Sequence, residues 1–189
     1  GVQTCALPIS SAGATTINVT GTATTNLYVG DLVSFDSGTT YLRTTAVNAT
    51  AIVVATAVGS AITVGTPILR KWQYADNFGV APGTSDFVSN KGGSNDEMHI
   101  IVIDEDGKFT GTANTVLEKY AFVSKASDAI NNDASTNYYK NIINSQSRYV
   151  WWMGHQPGSS SWGTAAAGTT YTNPNTAFSA SLSAGADGT

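Results

Sequence analysis

The stretch that decides the fold runs from residue 95 to residue 152: NDEMHIIVIDEDGKFTGTANTVLEKYAFVSKASDAINNDASTNYYKNIINSQSRYVWW. Two apolar runs, 98–103 and 116–123, flank the acidic turn Asp104-Glu105-Asp106-Gly107, which predicts two antiparallel strands joined by a tight connection. The first run is almost continuously apolar and reads as a central strand buried on both faces. Simple alternation on the return strand, 115–124, places Val116, Glu118, Tyr120 and Phe122 on one face and Leu117, Lys119, Ala121 and Val123 on the other. Thr136 or Asn137 is positioned to cap a helix whose stripe is Tyr138, Tyr139, Ile142 and Ile143. The aromatic run 148–153 reads as a further strand. The expected core of this module is Ile101, Ile103, Leu117, Phe122, Ile142 and Val150.

Working outward, residues 14–72 carry short β-branched runs at 15–20, 31–35, 41–46, 51–57, 61–64 and 68–72, spaced about ten residues apart by Gly and Asn turns. That rhythm predicts a small antiparallel barrel or sandwich. In Tyr28-Val29-Gly30-Asp31, the glycine permits a sharp corner and the aspartate can bond to its own turn. Residues 73–94, punctuated by Gly79, Pro82, Gly83, Gly92 and Gly93, read as a linker. Residues 154–189 are rich in Gly, Ser, Thr and Ala, and a segment of that composition is expected to bury little and stay flexible. Residues 1–13 read as a lead-in, of which 1–9 are expected to be non-native. The fold class expected is α+β, mostly β: an all-β unit at 14–72, a linker, and an α+β unit with short helices at 95–153.

Composition narrows the chemistry. The chain has 189 residues, of which 41% are hydrophobic and only 12% charged, about half the usual share. Its net charge of −4 arises from 13 acids and 9 bases without a basic cluster, so a groove that tracks phosphates is not expected. The single Cys5 excludes an intrachain disulfide and a cysteine-based zinc site. No apolar run approaches the roughly 20 residues of a membrane-spanning helix.

Individual motifs fail their chemical tests. Asp104, Asp106 and Gly107 resemble part of a calcium loop, yet Val102 and Ala113 stand where ligands are required. Glu97 and His99 share a strand face, with Asp96 beside them, but nothing in sequence completes a catalytic or metal set, and the other histidine, His155, precedes the small-residue segment. Asn90-Lys91-Gly92-Gly93-Ser94 lacks the spacing of a phosphate loop. Tyr149, Trp151, Trp152 and Trp162 are read first as core or subunit packing and second as sugar-stacking rings. No catalytic, cofactor-binding or metal residue is expected, and no cofactor.

The ordered set Asp96-Glu97-x-His99-x-x-Val102-x-Asp104-x-Asp106-Gly107, then Val116-Leu117-Glu118-x-Tyr120, resembles the middle of contractile bacteriophage tail sheath proteins. Residues 182–188, LSAGADG, resemble the passage leading such proteins into their next domain, with Ala184 in place of a glycine. The resemblance covers about residues 74–189. It implies a non-enzymatic virion protein, assembled in the bacterial cytoplasm, whose copies form hexameric rings stacked around a tail tube. Contraction of the stack drives the tube through the host envelope, without nucleic-acid binding or membrane insertion by the sheath. It also implies that this chain is an internal piece, with the tube-contacting domains outside it. The competing expectation is a carbohydrate-binding or adhesin-like β module.

Overall fold

Short β-branched runs broken by glycine and asparagine turns give the described residues of the first half of the chain seven strands and no long helix. The computed structural model describes residues 8–19, 24, 27–155 and 159–173. The protein is α+β and mostly β, with open antiparallel sheets and few, short helices. Two units divide the chain, Gly1–Gly79 and Val80–Thr189. Cys5 and the sheath-like passage at 182–188 lie outside the described residues.

In the first unit the strands are β1 (Pro8–Ser10), β2 (Thr16–Asn18), β3 (Leu32–Ser34), β4 (Leu42–Asn48), β5 (Ala51–Val54), β6 (Ile62–Thr63) and β7 (Leu69–Lys71). Five form an antiparallel sheet in the order β2-β5-β4-β3-β7, and β1 pairs with β6. Among the described residues the five-stranded sheet is open at β2 and β7, so the barrel anticipated from the strand spacing does not close. Ile17, Val33 and Ile52 are fully buried and gather Val19, Leu27, Val54, Val58 and Ile62 into one core. The corner at Gly30, with φ +93°, closes as its residues suggest. Asp31 accepts the Tyr28 N–H at 2.9 Å and is clasped by Arg70, whose Nε lies 2.6 Å away.

The division between the units falls inside 73–94, the expected linker, and the residues on both sides of Gly79 carry local structure. Trp72 packs against Tyr74 and Phe78 around a 3-10 turn, Ala75–Asn77. In the second unit, helix α1 (Asp86–Ser89) is capped by Ser85, whose hydroxyl accepts the Val88 N–H, and it buries Val88 completely. One turn of helix anchored by one valine carries too little periodicity to be read from sequence.

The second unit is built on a two-stranded antiparallel ribbon, β8 (Glu97–Asp104) and β9 (Thr115–Ser124), with helix α2 (Tyr139–Gln146) in contact with β9. Two register shifts break simple alternation. Met98 pairs with Val123 and Ile100 with Tyr120, so two residues of β9 oppose His99 alone. Phe122 takes a left-handed backbone, φ +54°, within that bulge. The bulge turns Tyr120 and Val123 to the same side, where both are buried with Tyr138, Tyr139, Ile142 and Ile143. Met98, Ile100, Val102, Val150, Trp152 and Trp162 pack against this cluster.

Of the six residues expected in this core, two belong to it. Ile142 and Val150 belong to it, while Ile101, Ile103, Leu117 and Phe122 are only partly buried and lie outside it. The run 98–103 is not a central strand among the described residues, where β9 is its sole ladder partner. Ile143→Ala should cost about 2–5 kcal/mol in denaturant titration, and Ile101→Ala well under half as much. Equal losses would contradict the assignment of faces.

Two further expectations change. The helix cap residue is Tyr138, which makes no side-chain capping bond. Thr136 instead accepts the Tyr138 N–H at 3.2 Å, and the Asn137 amide donates to the Phe122 carbonyl at 3.0 Å. Residues 148–153 form no strand, since Asn144 on α2 takes the place of a ladder partner. Its Oδ1 accepts the Trp152 N–H at 2.6 Å and its Nδ2 donates to the Trp152 carbonyl at 3.2 Å.

The small-residue segment also packs. In 159–173, Ala166 and Tyr171 are buried to 1% exposure or less, and backbone bonds tie Ser94 to Thr169 and Tyr171, and Lys125 to Gly163. Its approach needs a glycine beneath it: a Cβ on Gly93 would stand 2.6 Å from the Ala166 carbonyl and 2.7 Å from that of Thr169. The same small side chains that suggested flexibility allow two backbones to meet. No helix of the described residues is long and apolar enough to cross a membrane.

Candidate functional site

The residues that sequence singles out for chemistry lie in the second unit and come together in three places. The first is a buried polar hub at the start of β8. Asp96, fully buried, accepts the Ser85 N–H at 2.8 Å, the Ser85 hydroxyl at 2.9 Å and the Ser124 hydroxyl at 2.5 Å. It thereby joins the cap of α1 to the end of β9. Lys125, 2% exposed, donates to the Asn95 carbonyl at 2.9 Å and to Asn173 Oδ1 at 2.8 Å, and its ammonium lies 5.3 Å from the Trp162 ring centre. Asp96, Ser124 and Lys125 are thus adjacent and buried with Ser85 half-buried beside them, and the hydroxyls face the carboxylate and not the amine.

Burial pulls the Lys125 ammonium down from 10.5 to about 8, against the opposing charge of Asp96. Below pH 8 the folded and unfolded chains both hold the proton and the full burial penalty applies. Between about 8 and 10.5 only the unfolded chain keeps it, so this group makes stability rise with pH there. Tyr138, Tyr139 and Tyr171 are pushed above their usual 10.0 by burial, so the stability they contribute is full below pH 10 and is lost above it. The urea midpoint of the second unit should therefore climb from pH 8, peak near pH ~10 and fall beyond it, and Lys125→Met should abolish the climb. A flat profile in the wild-type chain would contradict the buried charge.

The second place is the β8–β9 connection. Asp104 turns inward, its Oδ2 accepting the Phe109 N–H at 3.0 Å and the Thr110 N–H and hydroxyl at 2.8 Å each. Burial works against its charge and those donors outweigh it, so the carboxyl titrates below its ordinary value. Asp106 pairs with Lys108 at 2.7 Å on the outside. Gly107, φ +78°, sits where a Cβ would meet the Ala113 nitrogen at 2.8 Å, which accounts for the glycine without a cation. Among the described residues no three His, Cys, Asp or Glu side chains converge as a metal site would require.

His99 and Glu97 diverge in use despite sharing a strand. His99 Nδ1 accepts the Phe122 N–H at 3.1 Å, which leaves Nε2 to donate to the Val80 carbonyl at 2.9 Å, and the ring meets Phe122 edge-on. The histidine is a brace for the bulge. Glu97 accepts the Gly83 N–H at 2.9 Å. Glu118, which sequence did not flag, accepts the Ser147 hydroxyl at 2.6 Å, the Arg148 N–H at 2.8 Å and the Tyr120 hydroxyl at 2.9 Å. Burial opposes its charge and is outweighed by these donors, which hold its carboxyl below the ordinary range. It fixes the chain as it leaves α2.

Aromatic residues form the third place. Tyr139, fully buried, meets Tyr138, Trp152, Trp162 and His155 edge-on at centroid distances of 5.0, 5.1, 5.7 and 5.9 Å. Its hydroxyl bonds to His155 Nδ1 at 2.5 Å, so the second histidine closes this cluster. Trp162 donates to the Thr172 carbonyl at 2.8 Å, whereas Trp152 Nε1 is buried without a partner among the described residues. The two adjacent tryptophans separate as their positions suggest: Trp152 enters the cluster and Trp151 is 68% exposed. Near Trp151 in sequence, Tyr149 meets Phe109 edge-on at 5.5 Å, and Phe109 and Met153 are 74% and 87% exposed. Comparison with protein-family models, curated proteins and solved structures finds no match for this chain.

Proposed function

We propose that this chain is the outer, middle part of a structural subunit of the contractile tail sheath kind, a protein whose work is self-assembly and not catalysis. The observation that carries the reading is how the second unit spends its side chains. Asp96, His99, Asp104 and Glu118 are engaged in bracing loops, while Phe109, Trp151 and Met153 are left largely in solvent. Exposed large apolar side chains grouped on neighbouring loops are the mark of a protein interaction surface. The ordered motif from Asp96 to Tyr120 supports the sheath identity in particular. A sparsely charged surface also lets like subunits approach without strong repulsion. Copies of the same chain are the proposed partners, with the virion tail as the site of action.

Sedimentation velocity of the 189-residue chain tests the surface directly. The expected result is weak, reversible association that rises with concentration and is reduced by Trp151→Ser. Association indifferent to Trp151→Ser and Met153→Ser would overturn the assignment of this surface.

A further inference from the structure

An open cleft of about 620 Å³ lies in the second unit between α1, the bulged end of the β8–β9 ribbon and the loop that precedes α2. Its apolar lining includes Phe122 and Ile130, the latter 45% exposed. Its lining also includes Asn90, Asn131, Asn132 and Asn137 and the acidic residues Asp86 and Glu97. Much of that polar capacity is unused. The side chains of Asp86, Asn90 and Asn132 make no hydrogen bond among the described residues, and Glu97 uses only Oε2.

Phe122, which lines this cleft, also carries the backbone strain of the bulge. A bulky residue in the left-handed region is strained, and such strain gathers where a side chain must be presented to a ligand. Here the strained backbone is held on both sides, by His99 at its N–H and by Asn137 at its carbonyl. Both bonds hold the bulge, while the Phe122 side chain itself lies outside the aromatic core.

We infer that this cleft is a binding site for a neutral saccharide. An amide offers a donor and an acceptor side by side, which matches a sugar hydroxyl that both gives and takes a hydrogen bond. The aromatic and aliphatic lining suits the C–H face of a pyranose ring. Phosphate-bearing ligands are disfavoured, since the lining holds two carboxylates and no lysine or arginine. An acidic sugar is disfavoured by the same charges. The site goes beyond the assembly reading and stands apart from it, because a structural subunit with or without this cleft could polymerise.

The test is a titration of the 189-residue chain with chitotriose, maltotriose and a rhamnose trisaccharide, followed by side-chain amide NMR shifts and calorimetry. Saturable binding of at least one is expected, with shifts at Asn131, Asn132 and Asn137, and oligogalacturonate should not bind. Asn132→Ala and Asn90→Ala alter exposed side chains without hydrogen bonds, so the melting temperature should hold while affinity falls by about tenfold. No saturable binding to any of the three sugars would overturn the inference. Binding lost with Trp151→Ala and kept with Asn132→Ala would overturn it as well, by placing the sugar on the exposed aromatic residues.

Discussion

Asp96→Ala should be the most damaging single substitution in the second unit, lowering its stability by about 3–5 kcal/mol. The carboxylate receives three hydrogen bonds from Ser85 and Ser124 in a place without solvent, and it is the anion that opposes the burial of Lys125. Truncation would leave two hydroxyls and a backbone N–H unpaired and one buried ammonium without its counter-charge, each a cost in its own right. Asp96→Asn keeps the shape and one oxygen acceptor and should cost about half as much, because the serine hydroxyls can rotate to a new partner. Urea unfolding followed by tryptophan fluorescence measures both. A loss under about 1 kcal/mol for Asp96→Ala would show that the hub does not hold α1 to the ribbon.

Tyr139→Ala is expected to cost about 3–5 kcal/mol, by opening a cavity where four rings converge. Tyr139→Phe keeps the ring and loses only the bond to His155, so it should cost about 1 kcal/mol. The contrast separates packing from hydrogen bonding. It should appear in near-ultraviolet circular dichroism too, where Tyr139→Ala flattens the aromatic signal and Tyr139→Phe leaves most of it. Similar losses for the two variants would mean that the bond to His155, and not the ring cluster, organises this end of the unit.

Strands β2 to β7 were legible because each rests on local chemistry: β-branched runs closed by Gly30, Asn48 or Gly59 leave few alternatives, whereas β1 falls in the stretch expected to be a lead-in with a non-native start. The β8–β9 pair was legible for the same reason. Their faces were not, because a bulge is a two-against-one event between strands, and nothing local to Ala121-Phe122 announces that His99 will sit opposite both. Residues 148–153 looked like a strand by composition, and what prevents pairing is a distant side chain, Asn144, that takes both backbone groups of Trp152. The segment 159–173 was the hardest to read. Its anchoring is one tyrosine, one alanine and a glycine gap at Gly93, a tertiary arrangement with no periodic signal.

Legibility of the chemical residues divides in the same way. Asp96, His99 and Asp104 stood out by type and spacing, and their employment as braces depends on partners in loops far along the chain. Glu118 and Lys125 escaped notice because an isolated charge in a strand pattern ordinarily faces water. Here register places Glu118 against the end of α2, and the packed 159–173 segment covers Lys125. The cleft was missed altogether. Its asparagines come from α1 and the loop before α2, separated by some forty positions, and only the fold brings them to one cleft.

The central claim, that this chain belongs to a self-assembling structural subunit, is tested most directly by electron microscopy of the complete recombinant protein over a range of salt and protein concentration. Rings or tubes of regularly repeating subunits are expected, formed without nucleotide or metal and disrupted by Trp151→Ser with Met153→Ser. Persistently monomeric particles under all of these conditions would contradict it.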